Sequence, residues 1–288
     1  MKSQVAEAIE RHRRAGRVFE AGGVRSFVRE EGDGEPVVLM HGVPVSSFLY
    51  RKVLPLLAER GLRGVAFDLP GLGLAEKPES FDYSWSGLGR WTGDAIDALG
   101  IDLCHLVLHD IGGPIGLEWA LRNQDRIRSL TVLDTLLDVG RFHRVWTIAL
   151  AAPQLIGPLW VASMRPPAAR WLFYLQGIGD RSATPAYEVD AYFALLHRDG
   201  GRRSFRKIVR GFELTEEKER FYLEGLGDVG WPATILWADR DPALGDDRRR
   251  AAENALGLEA KVISAKHFLQ EDQPQAVADA IVQVASSA

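Results

Sequence analysis

Asp110 holds the position in this chain from which chemistry is easiest to infer. It follows the strand-like segment 105–109 and precedes Gly112 and Gly113, after which an amphipathic stretch begins. A strand, a tight turn and a helix in this order form a nucleophile elbow, which exposes one side chain at its tip. A carboxylate at that tip can attack a saturated carbon and form an ester, which water must then hydrolyse in a second step.

Two further reactive side chains follow strand-like segments nearer the C-terminus. Asp241 comes after the apolar residues 233–238, and His267 comes after residues 261–265. Nucleophile, acid and histidine in this chain order are typical of catalytic triads on doubly wound sheets. Because such sheets bind their ligands at the carboxyl ends of their strands, we expect Asp110, Asp241 and His267 to meet there.

An earlier motif, His41-Gly42-Val43-Pro44, ends another predicted strand. Its backbone can turn tightly, so that the N–H of Val43 would point into the same site. Together with the N–H of Ile111, it would form an oxyanion hole for the tetrahedral intermediate of ester hydrolysis.

Apolar segments typical of buried strands alternate with amphipathic segments typical of helices through most of the chain. The predicted strands are residues 17–20, 24–29, 36–40, 64–68, 105–109, 129–133, 233–238 and 261–265. The predicted helices are residues 47–60, 87–99, 114–122, 246–255 and 275–284. This alternation predicts an α/β protein with a doubly wound, mostly parallel sheet that is covered on both faces.

The alternation stops between residues 138 and 213, which are rich in Trp, Pro and Arg and show helical patterns without a clear strand. We therefore expect a core made of residues 1–137 and 214–288. Residues 138–213 are expected to form a helical cap, or lid, inserted between two strands of the sheet.

The overall composition narrows the range of partners. The 288 residues carry a net charge of -4, which gives no reason to expect nucleic acid or a membrane as partner. Cys104 is the only cysteine, which excludes an internal disulfide and a cysteine-based zinc site. Residues 1–17 are charged throughout and contain no apolar run of signal-peptide length. We therefore expect a cytoplasmic protein.

Five motifs taken together resemble the aspartate-nucleophile branch of the α/β-hydrolase superfamily, which contains epoxide hydrolases and haloalkane dehalogenases. They are HGVP (41–44), FDLPGLG (67–73), HDIGG (109–113), ADRDP (238–242) and KHFLQED (266–272). The resemblance covers both core segments, and the predicted cap lies where that family inserts its own. It implies the α/β-hydrolase fold, a covalent alkyl-ester intermediate, and no cofactor or metal.

The resemblance also implies a role for each matching residue. Asp110 would be the nucleophile, His267 the base that activates water, and Asp241 the acid that orients the histidine. Val43 and Ile111 would supply the N–H groups of the oxyanion hole. The helix N-terminus beside Asp110 favours its ionised form, so His267 is expected to act in the second step.

The leaving group separates the two enzyme classes of this branch. Typical dehalogenases hold the halide with a Trp directly after the nucleophile and commonly an Asn at the third position of HGxP, where this chain has Ile111 and Val43. Epoxide hydrolases instead protonate the departing alkoxide from cap tyrosines. The candidates for this role are Tyr174, Tyr187 and Tyr192.

We therefore interpret the chain as an epoxide hydrolase that acts with water on a small apolar organic substrate. A haloalkane dehalogenase with a non-standard halide site is the first alternative. A cofactor-free luciferase-like monooxygenase and a binding protein on a retired hydrolase scaffold are two others. The sequence does not distinguish a monomer from a homodimer.

Two residues near the predicted site have competing interpretations. Asp134 follows the predicted strand 129–133, a position that some members of the branch use for the acid. We favour Asp241 because it lies in the turn of the final strand–helix pairs, and Asp134 would then be a helix cap or turn residue. His109 directly precedes the nucleophile and is predicted to be structural.

Overall fold

Eight strands pair into one sheet in the computed structural model, which describes residues 1–288. In chain order they are β1 (Gly16–Ala21), β2 (Val24–Glu31), β3 (Glu35–Met40), β4 (Leu62–Phe67), β5 (Cys104–Asp110), β6 (Ile127–Thr135), β7 (Ala233–Ala238) and β8 (Lys261–Ile263). Their order across the sheet is β1-β2-β4-β3-β5-β6-β7-β8. The first two pairings are antiparallel and the others are parallel, which confirms the predicted mostly parallel sheet.

The central strands are apolar because both of their faces are covered. All residues of β5 except Asp110 at its end are buried, as expected for a parallel strand between two helical layers. Met40 of β3 pairs with Leu108 of β5, and His109 pairs with Leu133 of β6. This register brings the carboxyl ends of β3, β5 and β6 to one edge of the sheet.

Thirteen α-helices accompany the sheet. They are α1 (Lys2–Arg14), α2 (Val53–Ala58), α3 (Trp85–Ala98), α4 (Gly112–Ala120), α5 (Trp146–Ala149), α6 (Gly157–Ser163), α7 (Ala168–Gln176), α8 (Ala186–His197), α9 (Gly201–Arg210), α10 (Glu216–Asp228), α11 (Asp246–Leu256), α12 (Leu269–Asp272) and α13 (Pro274–Ala285). Helices α5 to α9 follow one another between β6 and β7 without an intervening strand. No helix is both long and apolar enough to span a bilayer.

Residues 47–60, predicted as one helix, are divided. A 3-10 helix covers Ser47–Lys52, and α2 follows it directly. Pro55 has no N–H to donate to the carbonyl of Arg51, so it fits the first turn of an α-helix but not its interior.

Two segments differ from the sequence-based prediction, which has no helix before residue 47 and a strand over residues 261–265. The charged N-terminus forms α1, which packs against α8 and buries His12 in a hydrogen bond to Ser47 (Nε2 to Oγ, 3.1 Å). Strand β8 ends two residues earlier than predicted. The N–H of Ala265 donates instead to the carboxylate of Asp239 (3.0 Å), which draws the chain out of the sheet.

Candidate active site

Asp110 is the last residue of β5 and has a positive φ of 52°, which a residue with a side chain rarely adopts. The sharp turn needs space on both sides. A Cβ atom on Gly42 would lie 1.9 Å from Oδ1 of Asp110, and a Cβ atom on Gly113 would lie 1.8 Å from Oγ1 of Thr135. The Thr135 hydroxyl donates to the carbonyl oxygen of Asp110 (2.5 Å) and so holds the turn from below.

The two oxygens of the Asp110 carboxylate have different partners. Oδ1 accepts the N–H of Val43 (2.8 Å), while Oδ2 lies 3.4 Å from Nε2 of His267. Burial alone would raise the pKa of Asp110. His267, His109 and the N–H of Ile111 outweigh burial and lower that pKa below its ordinary value. The carboxylate is therefore ionised at neutral pH, as a nucleophile must be.

His267 lies between two carboxylates. Its Nδ1 is 2.7 Å from Oδ2 of Asp241, on the side opposite Asp110. The other oxygen of Asp241 accepts the N–H groups of Ala243 (2.7 Å) and Leu244 (3.1 Å). Burial would lower the pKa of His267, but the charges of Asp241 and Asp110 outweigh it and raise that pKa well above its usual value.

Asp134 lies near this group without contacting His267 through a hydrogen bond. Its Oδ1 accepts the N–H of Ala238 (2.9 Å), and its Oδ2 has no partner. Burial and the adjacent charge of Asp241 raise the pKa of Asp134 well above its ordinary value. Asp134 is therefore the acid of this pair that holds a proton more readily, and Asp241 is the one that is hydrogen-bonded to His267.

His109 supports the backbone of the site. It is fully buried, and its Nε2 lies 2.8 Å from the carbonyl oxygen of His267. Burial, reinforced by the nearby His267, lowers the pKa of His109 to about 4. A neutral ring that bonds the main chain of His267 fits the structural role predicted for it.

A cavity of about 120 Å³ lies above Asp110 and His267. Sixteen of its 23 lining residues are hydrophobic, so it suits an apolar molecule. Apart from Asp110 and His267, its polar side chains are Thr147 and Gln176. The segment between β6 and β7 supplies much of the apolar wall, including Ile148, Trp160, Met164, Leu172, Phe173 and Phe193.

None of the three tyrosines proposed as proton donors lines this cavity. The hydroxyl of Tyr174 donates to the carbonyl oxygen of Thr184 (2.8 Å), and that of Tyr192 donates to Glu271. Tyr187 is half-buried and packs against the core.

The cavity is lined instead by the neighbours of two of these tyrosines, Phe173 and Phe193. One residue along a helix turns a side chain by about 100°. The rotation of α7 and α8 therefore places phenylalanine, and not tyrosine, against the cavity.

Gln176 and Thr147 were not singled out in the sequence. The Thr147 hydroxyl donates to Oε1 of Gln176 (3.2 Å), while the amide nitrogen of Gln176 makes no hydrogen bond within the chain. Trp160 also lines the cavity, but its indole N–H donates to the carbonyl oxygen of Thr147 (2.8 Å). No local motif marks these residues, because only the packing of α5 against α7 brings them together.

The ligand atoms of Asp134, Asp241 and His267 lie within 4.8 Å of one another, the spacing that a metal site requires. However, Nδ1 of His267 is already hydrogen-bonded to Asp241. The donor set is therefore engaged in the histidine–carboxylate pair, and we assign no metal to it.

Comparison with known proteins agrees with this geometry. A family model described as "alpha/beta hydrolase fold" matches residues 35–274. A haloalkane dehalogenase of Mycobacterium marinum is 31% identical, with 90% of this chain and 88% of that protein covered. A haloalkane dehalogenase of Psychrobacter cryohalolentis is 29% identical, with 90% of this chain and 87% of that protein covered.

A likeness also extends to solved structures. The solved structure of the epoxide hydrolase CorEH without ligand matches this chain with a TM-score of 0.77 and 23% identity. The match covers 94% of this chain and 98% of that chain. At that identity the likeness concerns the fold. The family model spans most of the chain and both core segments, and on this basis the chain belongs to the α/β-hydrolase family, in its aspartate-nucleophile branch.

Proposed function

We propose that this hydrolase displaces a halide from a small apolar haloalkane through a covalent ester on Asp110. The observation that carries the choice of leaving group is the polar lining of the cavity. It offers the carboxamide of Gln176 but no tyrosine hydroxyl. A carboxamide donates a hydrogen bond but does not give up its proton at neutral pH, so it suits an anion that leaves unprotonated.

In the first step, Oδ2 of Asp110 attacks the carbon that carries the halogen. The carbon–oxygen bond forms as the carbon–halogen bond breaks, and the bonding pair leaves with the halide. Oδ1 remains in its hydrogen bond to the Val43 N–H (2.8 Å), which orients the carboxylate for attack. The amide N–H of Gln176 is the proposed donor to the departing halide.

In the second step, water hydrolyses the ester. Nε2 of His267 removes a proton from water as the water oxygen attacks Cγ of Asp110, and Asp241 stabilises the imidazolium that results. The charge that develops on Oδ1 is stabilised by the N–H groups of Val43 and Ile111. As the intermediate collapses, the imidazolium of His267 gives its proton to the departing alkoxide oxygen, which leaves as the alcohol. The remaining proton on the Asp110 carboxyl then passes to solvent and regenerates the carboxylate.

Residues 138–213 are proposed to act as the cap over this site. This segment contributes most of the apolar residues that line the cavity with Asp110 and His267. Exclusion of bulk water strengthens the electrostatic interactions during the first step. The cap would also select substrates by size, since the cavity is small.

Product analysis on matched substrates tests the assignment. We expect the purified enzyme to release halide and alcohol in equal amounts from short bromoalkanes, and to leave epoxides of the same chain length intact. Diol formation without halide release would replace this proposal with epoxide hydrolysis. Turnover of neither class would overturn both.

A further inference from the structure

Helices α5, α6 and α7, with the turn that joins α5 to α6, expose an unusual number of large apolar side chains. Six of the chain's ten exposed large hydrophobic residues lie here, and Leu155 and Leu159 are 88% and 73% exposed. We call these six residues the outer cap surface: Trp146, Leu155, Ile156, Leu159, Trp171 and Leu175. Clustered exposed apolar groups of this kind mark an interaction surface.

The three helices form one continuous region. Helix α5 contacts α6 through the Trp146 and Trp160 rings, whose centroids are 5.7 Å apart, and contacts α7 through the bond between Thr147 and Gln176. Trp171 and Leu175 lie one turn apart on α7.

These helices also form one wall of the cavity, through Ile148, Trp160 and Leu172. They are therefore a single layer between the cavity and the surroundings, with apolar side chains on both sides.

Positive charges predominate around the outer cap surface, where Arg170 of α7 is paired with Asp190 of α8 (2.6 Å). Residues 139–179 contain four arginines and no acidic residue, and α9 contains five basic residues and no acidic one. On α9, Arg202, Arg206 and Arg210 follow one another at intervals of four and so share one side of the helix. The chain's net charge of -4 conceals this local excess of positive charge.

The basic stripe lies beside the apolar residues. Arg206 donates to the carbonyl oxygens of Ala151 (3.0 Å) and Pro153 (2.9 Å), in the turn that precedes Leu155. Arg202 and Arg210 are exposed and form no ion pair. Exposed tryptophan and leucine bordered by arginine is the pattern of a protein surface that inserts shallowly into an anionic bilayer.

We propose that the outer cap surface, with the arginine stripe of α9, binds the surface of an anionic lipid bilayer. The apolar side chains would enter the headgroup region, and the arginines would contact lipid phosphates. A second copy of this chain is the less favourable occupant, because two copies related by a two-fold axis would bring like charges together.

Lipid binding does not depend on the proposed function. If that function also holds, apolar substrate dissolved in the bilayer would lie one helix layer away from the cavity.

Co-sedimentation of the full chain with phospholipid vesicles tests the proposal. The chain should sediment with phosphatidylcholine vesicles that contain about one quarter phosphatidylglycerol, and not with phosphatidylcholine alone. About 0.5 M NaCl should release most of it, since salt screens the arginines. The double variants Leu155→Glu/Leu159→Glu and Arg202→Glu/Arg210→Glu should each weaken binding by about tenfold or more.

The matched control is Val18→Glu/Leu258→Glu, which places the same charges at exposed apolar positions outside the cap. It should bind as the unmodified chain does, and circular dichroism should show all variants folded. Failure of the unmodified chain to bind anionic vesicles would overturn the proposal. Vesicle binding by the Leu155→Glu/Leu159→Glu variant equal to that of the unmodified chain would also overturn it. The proposal would fail as well if light scattering showed a dimer that this variant dissociates and no vesicle binding were seen.

Discussion

Asp134 near the end of β6 and Asp241 just after the neighbouring β7 are both buried, yet only Asp241 is hydrogen-bonded to His267. Asp134 turns one oxygen to the N–H of Ala238 and leaves the other without a partner. Two carboxylates this close cannot both remain charged at low cost. The negative charge is therefore favoured on Asp241, the acid that has His267 as its partner, and the proton on Asp134.

This division of charge predicts unequal effects of removing the two acids. Asp241→Asn should lower kcat by about 10²- to 10⁴-fold, because an amide neither stabilises the imidazolium nor holds the correct tautomer. Asp134→Asn should lower kcat by less than about tenfold, because a neutral amide can still accept the N–H of Ala238. Steady-state kinetics on both variants would measure these effects. A larger loss of kcat in Asp134→Asn than in Asp241→Asn would make Asp134 the acid that supports His267.

His267→Gln is expected to stop the reaction at the ester. The first step needs only the Asp110 carboxylate, whereas the second needs a base that the glutamine cannot supply. Intact-protein mass spectrometry after incubation with a bromoalkane should show an added alkyl group. The control is Asp110→Asn/His267→Gln, which should show none, and an adduct there would place the nucleophile elsewhere.

The two steps should respond differently to pH. Burial lowers the pKa of His267, but Asp241 and Asp110 outweigh it and raise that pKa well above its ordinary value. Alkylation neutralises Asp110, which removes one raising charge, so His267 loses its proton more readily in the ester. Rapid-quench measurements should show ester hydrolysis slowing as pH falls through the pKa of His267 in that ester. The alkylation rate should stay level until Asp110 itself is protonated, and parallel pH profiles would contradict this sequence of events.

Gln176 and Tyr192 provide a paired test of the leaving-group donor. Gln176→Leu, which keeps a similar volume, should reduce halide release by about 10- to 100-fold through loss of the amide N–H. Tyr192→Phe should leave kcat nearly unchanged, because its hydroxyl is bonded to Glu271 and does not line the cavity. The rate of halide release measures both. A loss of halide release in Tyr192→Phe as large as that in Gln176→Leu would show that the tyrosine reaches substrate.

A buried ionic cluster behind the site predicts an acid-sensitive contribution to stability. Burial would raise the pKa of Glu271, but Arg51 and Lys52 outweigh it and lower that pKa to about 2. A lowered carboxyl pKa stabilises the fold above the unfolded-state pKa, near 4.5, and this contribution disappears as pH falls toward about 2.

Glu271→Gln should therefore reduce the free energy of unfolding at neutral pH by about 3–5 kcal/mol, because it leaves Arg51 buried without its main partner. The difference from the unmodified chain should narrow as pH falls below about 4.5. Urea unfolding at several pH values measures this. The control Glu7→Gln, at an exposed ion pair, should cost less than about 1 kcal/mol, and a pH-independent difference for Glu271→Gln would contradict the electrostatic explanation.

The sequence by itself determined the sheet and the location of the reactive side chains within it. Apolar strands alternating with amphipathic helices are a local pattern, and the elbow at Asp110 is set by its neighbouring small residues. His267 and Asp241 could be placed because each lies within four residues of the end of a strand of a parallel sheet. These inferences depend on residues that are close in the chain.

Only the tertiary structure decided which side chains face the cavity and which acid contacts the histidine. A rotation of about 100° per residue separates Phe173 from Tyr174, and the sequence does not specify how α7 turns against the core. The contact of Thr147 with Gln176 likewise needs α5 and α7 in place. Since the leaving-group donor must come from such contacts, the choice between halide and epoxide rests on packing between segments distant in the chain.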